Sequence, residues 1–216
     1  MSPTMAPVPT LFHRAVTKLP AWVAAGTILL MGGGTALLGA NGLQTHSLAG
    51  FIDDLGHRVE DDTLQKPLRL IAFGYTSCPD VCPTTLLAVH QALIQLGEDA
   101  VIIDPAFVTV DPDRDSVPRL HQYVSTFDAR IRGYRASATR LDLFARSLHV
   151  QYWREGGSPE TKDYGMSHTS TLFLLRRDGS IAARIENADD ADTLARFILK
   201  AVRASYRIPH ESHSGS

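Results

Sequence analysis

Phe73-Gly74-Tyr75-Thr76-Ser77-Cys78-Pro79-Asp80-Val81-Cys82-Pro83 carries both cysteines of a 216-residue chain and joins two stretches of different periodicity. Residues 68–75 before the cysteines form an apolar run of strand length that ends in turn residues. Residues 83–96 after them place Leu86, Leu87, Leu93, Ile94 and Leu96 at helical spacing. Pro83 suits the first turn of that helix and Gly97 its end. The two sulfurs therefore stand at a strand-to-helix junction. Their four-residue spacing brings them to one side of a helical turn, where backbone amides stabilise a thiolate.

Two thiolates held that close either form a disulfide or bind a soft metal ion, and thiolate ligands favour Cu(I). A pair of merely structural thiols is the plain alternative. A disulfide-stapled scaffold spreads its cysteines along the chain, and these two do not. Thiol-exchange motifs of the thioredoxin type have two residues between the cysteines, whereas this motif has three. A structural zinc site normally takes four protein ligands, so two cysteines would need two further donors.

Working outward, residues 101–110 predict a second strand, interrupted near Asp104-Pro105, and residues 111–118 a loop. Ser116 is placed to cap a helix over residues 117–127. Residues 138–148 predict a helix, 150–153 a short strand, and 169–175 with 181–185 a hairpin about the turn Arg177-Asp178-Gly179. An amphipathic helix over 191–206 closes the domain, and a disordered tail is expected over 209–216. This order of strands and helices predicts an α/β, thioredoxin-like fold with a central mixed sheet flanked by helices, over residues 44–208.

The N-terminal region has a different character. No Asp, Glu, Lys or Arg occurs from Leu19 to Ile52, and residues 21–43 are apolar over a length that crosses a bilayer as a helix. Arg14 and Lys18 precede that segment, and Asp53, Asp54 and Glu60 follow it. The positive-inside tendency then expects residues 1–20 in the cytoplasm, an N-terminal transmembrane helix over 21–43, and the domain outside. A cleaved signal peptide is the rival, although Leu38-Gly39-Ala40 makes a poor cleavage site. Residues 41–66 form a polar connector in which Gly56 supports a short hairpin. With a net charge of -2 and no basic stripe, a nucleic-acid partner gains no support.

Of nine histidines, His168 in Gly165-Met166-Ser167-His168-Thr169 is the one that topology favours. In a thioredoxin-like domain the loop before the strand at 169–175 lies beside the cysteine turn. An imidazole there completes a three-donor set and also accommodates Cu(II). His90 and His121 fall within helices, His149 ends one, and His210 and His213 sit in the tail. The acids Asp111, Asp113 and Asp115 read as a solvated turn with Arg114 pairing locally. Binding of a hard cation such as calcium, or docking of a partner, are the alternatives there.

Cys-Pro-Asp-Val-Cys-Pro after Phe-Gly-Tyr-Thr-Ser resembles the signature of the Sco/SenC family of copper proteins. The run Val110-Asp111-Pro112-Asp113-Arg114-Asp115 resembles that family's acidic loop, and His168 before an apolar strand and Asp178-Gly179 resembles its histidine segment. The resemblance implies copper, as Cu(I) or Cu(II), held by Cys78, Cys82 and His168. It also implies a single-pass inner-membrane protein whose domain faces the periplasm, or the intermembrane space if mitochondrial. The expected partners are the copper-binding subunit of cytochrome c oxidase, a copper donor protein and a thiol reductant. One position departs from the pattern: the family commonly has an acid immediately before the histidine, and here Ser167 stands there. Three functions stay open on the residues: copper delivery, a thiol-disulfide reductase that keeps a target's copper-ligand cysteines reduced, and a thiol peroxidase drawing on Arg114.

Overall fold

The computed structural model of the protein describes residues 46–60, 66–158, 160, 163–186 and 189–206. All belong to the second of two units, 1–40 and 41–216, into which the chain divides. The expected N-terminal segment over 1–20, the transmembrane helix over 21–43 and the tail over 209–216 lie outside the described residues. Among the described residues no helix is long and apolar enough to cross a membrane.

The elements run β1 (Ile52–Asp53), β2 (Leu68–Gly74), α1 (Val81–Gln95), a 3-10 turn (Gly97–Ile102), β3 (Ile103–Thr109), α2 (Val117–Phe127), β4 (Arg132–Arg135) and α3 (Ala138–Ser147). Then follow β5 (Tyr152–Glu155), β6 (Gly165–His168), β7 (Leu172–Arg176), β8 (Ile181–Ile185) and α4 (Ala191–Tyr206). Six strands form a sheet in the order β1-β4-β3-β2-β7-β8, and β5 and β6 form a separate two-stranded ribbon. β2, β3 and β4 are parallel, while β1, β7 and β8 join antiparallel. This is the mixed, helix-flanked sheet of a thioredoxin-like fold.

β2 is central because every one of its seven residues is buried. Its alternation feeds two cores. Leu68, Leu70 and Ala72 join Leu86 and Leu93 of α1, Leu120 and Val124 of α2, and Leu194 and Ile198 of α4. Ile71 and Phe73 join Phe51, Phe144 of α3 and Phe173 of β7. Phe51 and Phe144 meet edge to face with centroids 5.3 Å apart, as do Phe73 and Phe173 at 6.2 Å. Fully burying one such ring stabilises the fold by about 1.5–3 kcal/mol. Arg69, buried in the same strand, lies in register opposite Asp104, and its Nε donates to the Asp104 carboxylate at 2.8 Å. That pairing is what makes a charge in the central strand tolerable.

Four expectations are corrected. The strand expected from residue 101 begins at Ile103, because Gly97 leads into a 3-10 turn through Ile102. Asp104-Pro105 does not interrupt it, since β4 pairs with β3 only from Ala106 onward and the missing Pro105 N–H opens no gap there. The connector is not simply polar, since Leu48 and Phe51 are fully buried and β1 pairs with β4; the short hairpin expected near Gly56 is present, with the Asp53 N–H bonded to the His57 carbonyl and the Val59 N–H to the Phe51 carbonyl, each at 2.9 Å, around the bridge between Ile52 and Arg58. The strand expected at 150–153 is β5, at 152–155, and it pairs with β6, which places His168 at the end of a strand.

Candidate metal centre

β2 ends at Gly74 and α1 begins at Val81, with residues 75–80 between them, so Cys78 lies in the connecting loop and Cys82 in the first helical turn. The loop folds back through a Cys78 N–H bond to the Tyr75 carbonyl, 3.2 Å. The Cys82 N–H, one of the unpaired amides of the helix start, donates to Cys78 Sγ at 3.3 Å. Both thiols are free, Cys78 partly exposed and Cys82 buried. Cys82 packs against Gly74 so closely that a Cβ built on Gly74 stands 2.8 Å from its Sγ and 2.7 Å from the Phe107 ring. Burial, followed by hydrogen bonding with Cys78, pushes the Cys82 thiol far above the ordinary cysteine range. The helix N-terminus therefore does not make Cys82 a thiolate in the free protein, because desolvation outweighs the amide field.

His168 Nε2 lies 3.6 Å from Cys82 Sγ, while its Nδ1 is 2.9 Å from the Thr169 carbonyl. A carbonyl only accepts, so Nδ1 carries the proton and Nε2 turns its lone pair toward the sulfur. Burial lowers the pKa of His168 despite that carbonyl bond, and the ring is neutral at neutral pH. The Tyr75 ring meets the imidazole edge to face at 6.2 Å. Cys78 and His168 open onto a cleft of about 330 Å³ walled also by Tyr75, Pro79, Val81 and Met166. The structure thus brings Cys82 and His168 into contact and sets Cys78 at the mouth. No three His, Cys, Asp or Glu side chains among the described residues already stand as a closed metal site.

The acidic loop is exposed at Asp113 and Arg114 pairs locally with Asp111, as expected, but its other two acids are not solvated. Asp111 and Asp115 are buried, at 2% and 0% exposure. Asp115 accepts from the Thr76 N–H at 3.0 Å, the Thr76 hydroxyl at 2.5 Å and the Thr109 hydroxyl at 2.5 Å. Arg119, on the first turn of α2 behind its Ser116 cap, donates to the hydroxyls of Thr76 at 2.6 Å and Ser77 at 2.9 Å. Asp111 accepts from the Tyr164 hydroxyl at 2.8 Å and from Arg114 Nε. Arg114 in turn donates to the Tyr164 carbonyl at 2.7 Å and lies 3.9 Å over its ring. One end of the loop thus fixes the cysteine turn, and the other fixes the residue before β6, the strand that carries His168. Arg114 is engaged here, which removes it as the partner of Cys78 that a peroxidase would need.

Among the described residues, the other histidines weighed from the sequence serve elsewhere. His90 pairs with Asp128 and His121 with Asp54, each at 2.8 Å, and His149 takes a left-handed conformation after α3. His210 and His213 lie outside the described residues. Ser167 donates to Glu155 on the neighbouring strand. Sequence reasoning missed Thr76, Tyr164 and Arg119, whose partners are distant in the chain, and Thr109, which bonds Asp115 six residues on. The one available signal was the run of acids, read there as exposed.

A thioredoxin-like domain with two thiols and an imidazole gathered at one end of its central strand defines a class of cysteine- and histidine-based metal or redox proteins. The SCO1/SenC family model matches residues 46–203, and the chain belongs to that family. It is 31% identical over 153 residues to the mitochondrial protein SCO1 homolog 1 of Arabidopsis thaliana, covering 70% of this chain and 45% of that protein. To the human mitochondrial protein SCO2 homolog it is 36% identical over 137 residues, covering 62% of this chain and 51% of that one. The chain spans about half the length of the curated relatives it matches. Among solved structures, Arabidopsis thaliana ScoI with copper bound aligns with a TM-score of 0.65 at 29% identity, covering 71% of this chain and 95% of that one. Bradyrhizobium japonicum ScoI with copper bound aligns at 0.62 and 31% identity, covering 71% and 94%.

Proposed function

We propose that this protein binds one copper ion through Cys78 Sγ, Cys82 Sγ and His168 Nε2 and delivers it to the copper-binding subunit of cytochrome c oxidase. The observation that carries the reading is the neutral Nε2 lone pair facing Cys82 Sγ at 3.6 Å, with the second sulfur one turn away. Two soft donors and one borderline donor suit Cu(I) and tolerate Cu(II). Copper meets Cys78 and His168 first, because both line the cleft and Cys82 lies behind. Binding then displaces the Cys82 thiol proton, and the sulfurs close around the metal. A copper donor loads the site, and a thiol reductant keeps the pair open, since a Cys78–Cys82 disulfide would remove both thiolates. Residues 21–43 tether the domain to the inner membrane, facing the periplasm or the intermembrane space. In spheroplasts, added protease digests the domain, and carbonate washing leaves the protein in the membrane.

A second reading, a thiol-disulfide reductase for a target's copper-ligand cysteines, is favoured by one feature. A partly exposed sulfur stands in front of a buried one, the arrangement of an attacking and a resolving thiol. His168→Ala separates the two. Under copper delivery it abolishes oxidase maturation, excess copper in the medium restores some of it, and the cysteine pair still cycles between dithiol and disulfide. Normal oxidase activity in that variant at ordinary copper supply would sink delivery and leave thiol exchange. Copper titration of the reduced protein with X-ray absorption reads stoichiometry and sulfur and nitrogen ligation directly.

A further inference from the structure

We propose that Met166 supplies a thioether donor to the same centre and biases it toward Cu(I). The inference rests on the copper reading above and extends its ligand set. The chain has four methionines, and only Met166 falls within the folded domain, the others standing at positions 1, 5 and 31.

Strand geometry aims it. Met166 and His168 are two residues apart on β6, so their side chains leave the same face of the ribbon. Ser167 between them faces the other way, toward Glu155. Met166 is 8% exposed and packs in the core that contains Tyr75 and Cys82, with Cys78 against it. Its side chain also walls the cleft onto which Cys78 and His168 open.

A branched aliphatic residue would fill the same core position. A thioether fills it and adds a soft, uncharged donor beside two sulfurs and an imidazole. Thioethers favour Cu(I) and contribute little to Cu(II). A neutral fourth donor also needs no proton removed, so it is available to an ion held only by Cys78 at the mouth.

The test uses the full chain in detergent, reduced and anaerobic, with selenomethionine in place of methionine and one equivalent of Cu(I). Copper K-edge absorption sees selenium only when it is bound to the metal, so methionines elsewhere do not contribute. A Cu–Se shell beside the sulfur and nitrogen shells, lost in Met166→Leu, is expected. Leu conserves volume and keeps the fold. In the same variant, Cu(I) affinity falls about tenfold, the lower end for losing a group that tunes a metal site, while Cu(II) affinity holds. The Cu(II)/Cu(I) midpoint accordingly drops by about 59 mV. Sulfur and nitrogen shells without selenium, or a selenium shell that persists in Met166→Leu, overturn the thioether donor and leave the three-ligand site standing. Equal affinity of the variant and the parent for Cu(I) does the same. Loss of the cysteine and histidine shells themselves overturns the copper reading, and this proposal with it.

Discussion

Replacing Asp115 tests whether the acidic loop holds the cysteine turn. The side chain is fully buried and accepts three hydrogen bonds, two from Thr76 and one from Thr109. In Asp115→Ala the Thr76 N–H and the Thr109 hydroxyl lose their acceptor. Each orphaned buried donor costs about 1–3 kcal/mol, so a loss of about 2–4 kcal/mol is expected after partial hydration of the space. Asp115→Asn keeps one oxygen, which can still take both donors now shared at Oδ2, and its NH2 can donate to the Thr76 hydroxyl. About half the Ala cost is therefore expected. The loosened turn carries Cys78, and copper affinity falls about tenfold in Asp115→Ala, as for groups that orient metal ligands. Urea unfolding with an unchanged slope gives the stability, and competition against a Cu(I) chelator gives the affinity. If Asp115→Ala lies within about 0.5 kcal/mol of the parent, the range of an ordinary surface change, or if Asn costs as much as Ala, the reasoning fails.

Gly74→Ala should cost about 1–3 kcal/mol by overpacking, because its Cβ stands 2.7 Å from Phe107 and 2.8 Å from Cys82 Sγ; thermal unfolding with and without Cu(I) measures the fold and the displaced sulfur together. Burial raises the pKa of Asp54, but hydrogen bonds from His121 and Arg132 outweigh it, and bonding with Arg130 lowers that of Asp128. Both carboxylates are depressed in the folded state, so their contribution is fully present above the ordinary carboxylate range and is lost as pH falls through the folded values; urea midpoints from pH 7 to 3 should fall, and less steeply in Asp54→Asn. The Cys82 thiol is protonated at neutral pH and His168 is not, so Cu(I) affinity should decrease as pH falls from 8 to 7 through thiol competition alone. An identical pH slope in Cys82→Ser would remove that thiol as the competing group.

Much of the fold was legible because its signals are local. The run at residues 68–75, the helical spacing after Pro83, the Ser116 cap and the Asp178-Gly179 turn each settle an element from neighbouring residues alone. β4 was not legible: Arg132-Gly133-Tyr134-Arg135 has no apolar run, and it is a strand because β1 and β3 flank it. β6 was hidden for a similar reason, since Gly165-Met166-Ser167-His168 pairs only with β5 across the intervening loop. At the site, the cysteines and the histidine stood out by residue type, whereas the burial of Asp111 and Asp115 could not. An aspartate in a turn is exposed by default, and here distant partners, Thr76 and Tyr164, join the nearby Thr109 and Arg114 in making its burial tolerable.

The acid-base state of the two contacting groups bears on how the proposed delivery site would be both selective and reversible. A buried Cys82 thiolate without a cation would carry uncompensated charge, a costly state. Keeping Cys82 as a thiol and His168 as a neutral imidazole leaves the empty cleft uncharged at that pair. Under the delivery reading, an arriving cation would exchange for a proton and a departing one would be replaced by a proton, so neither loading nor release would strand a buried charge. The carboxylates of the acidic loop, Asp111 and Asp115, are engaged by Thr76, Thr109, Tyr164 and Arg114, and Asp80 is the carboxylate that lines the cleft. The buried carboxylates thus shape the site without joining it: they hold its two halves in place and leave the soft donors facing the cleft.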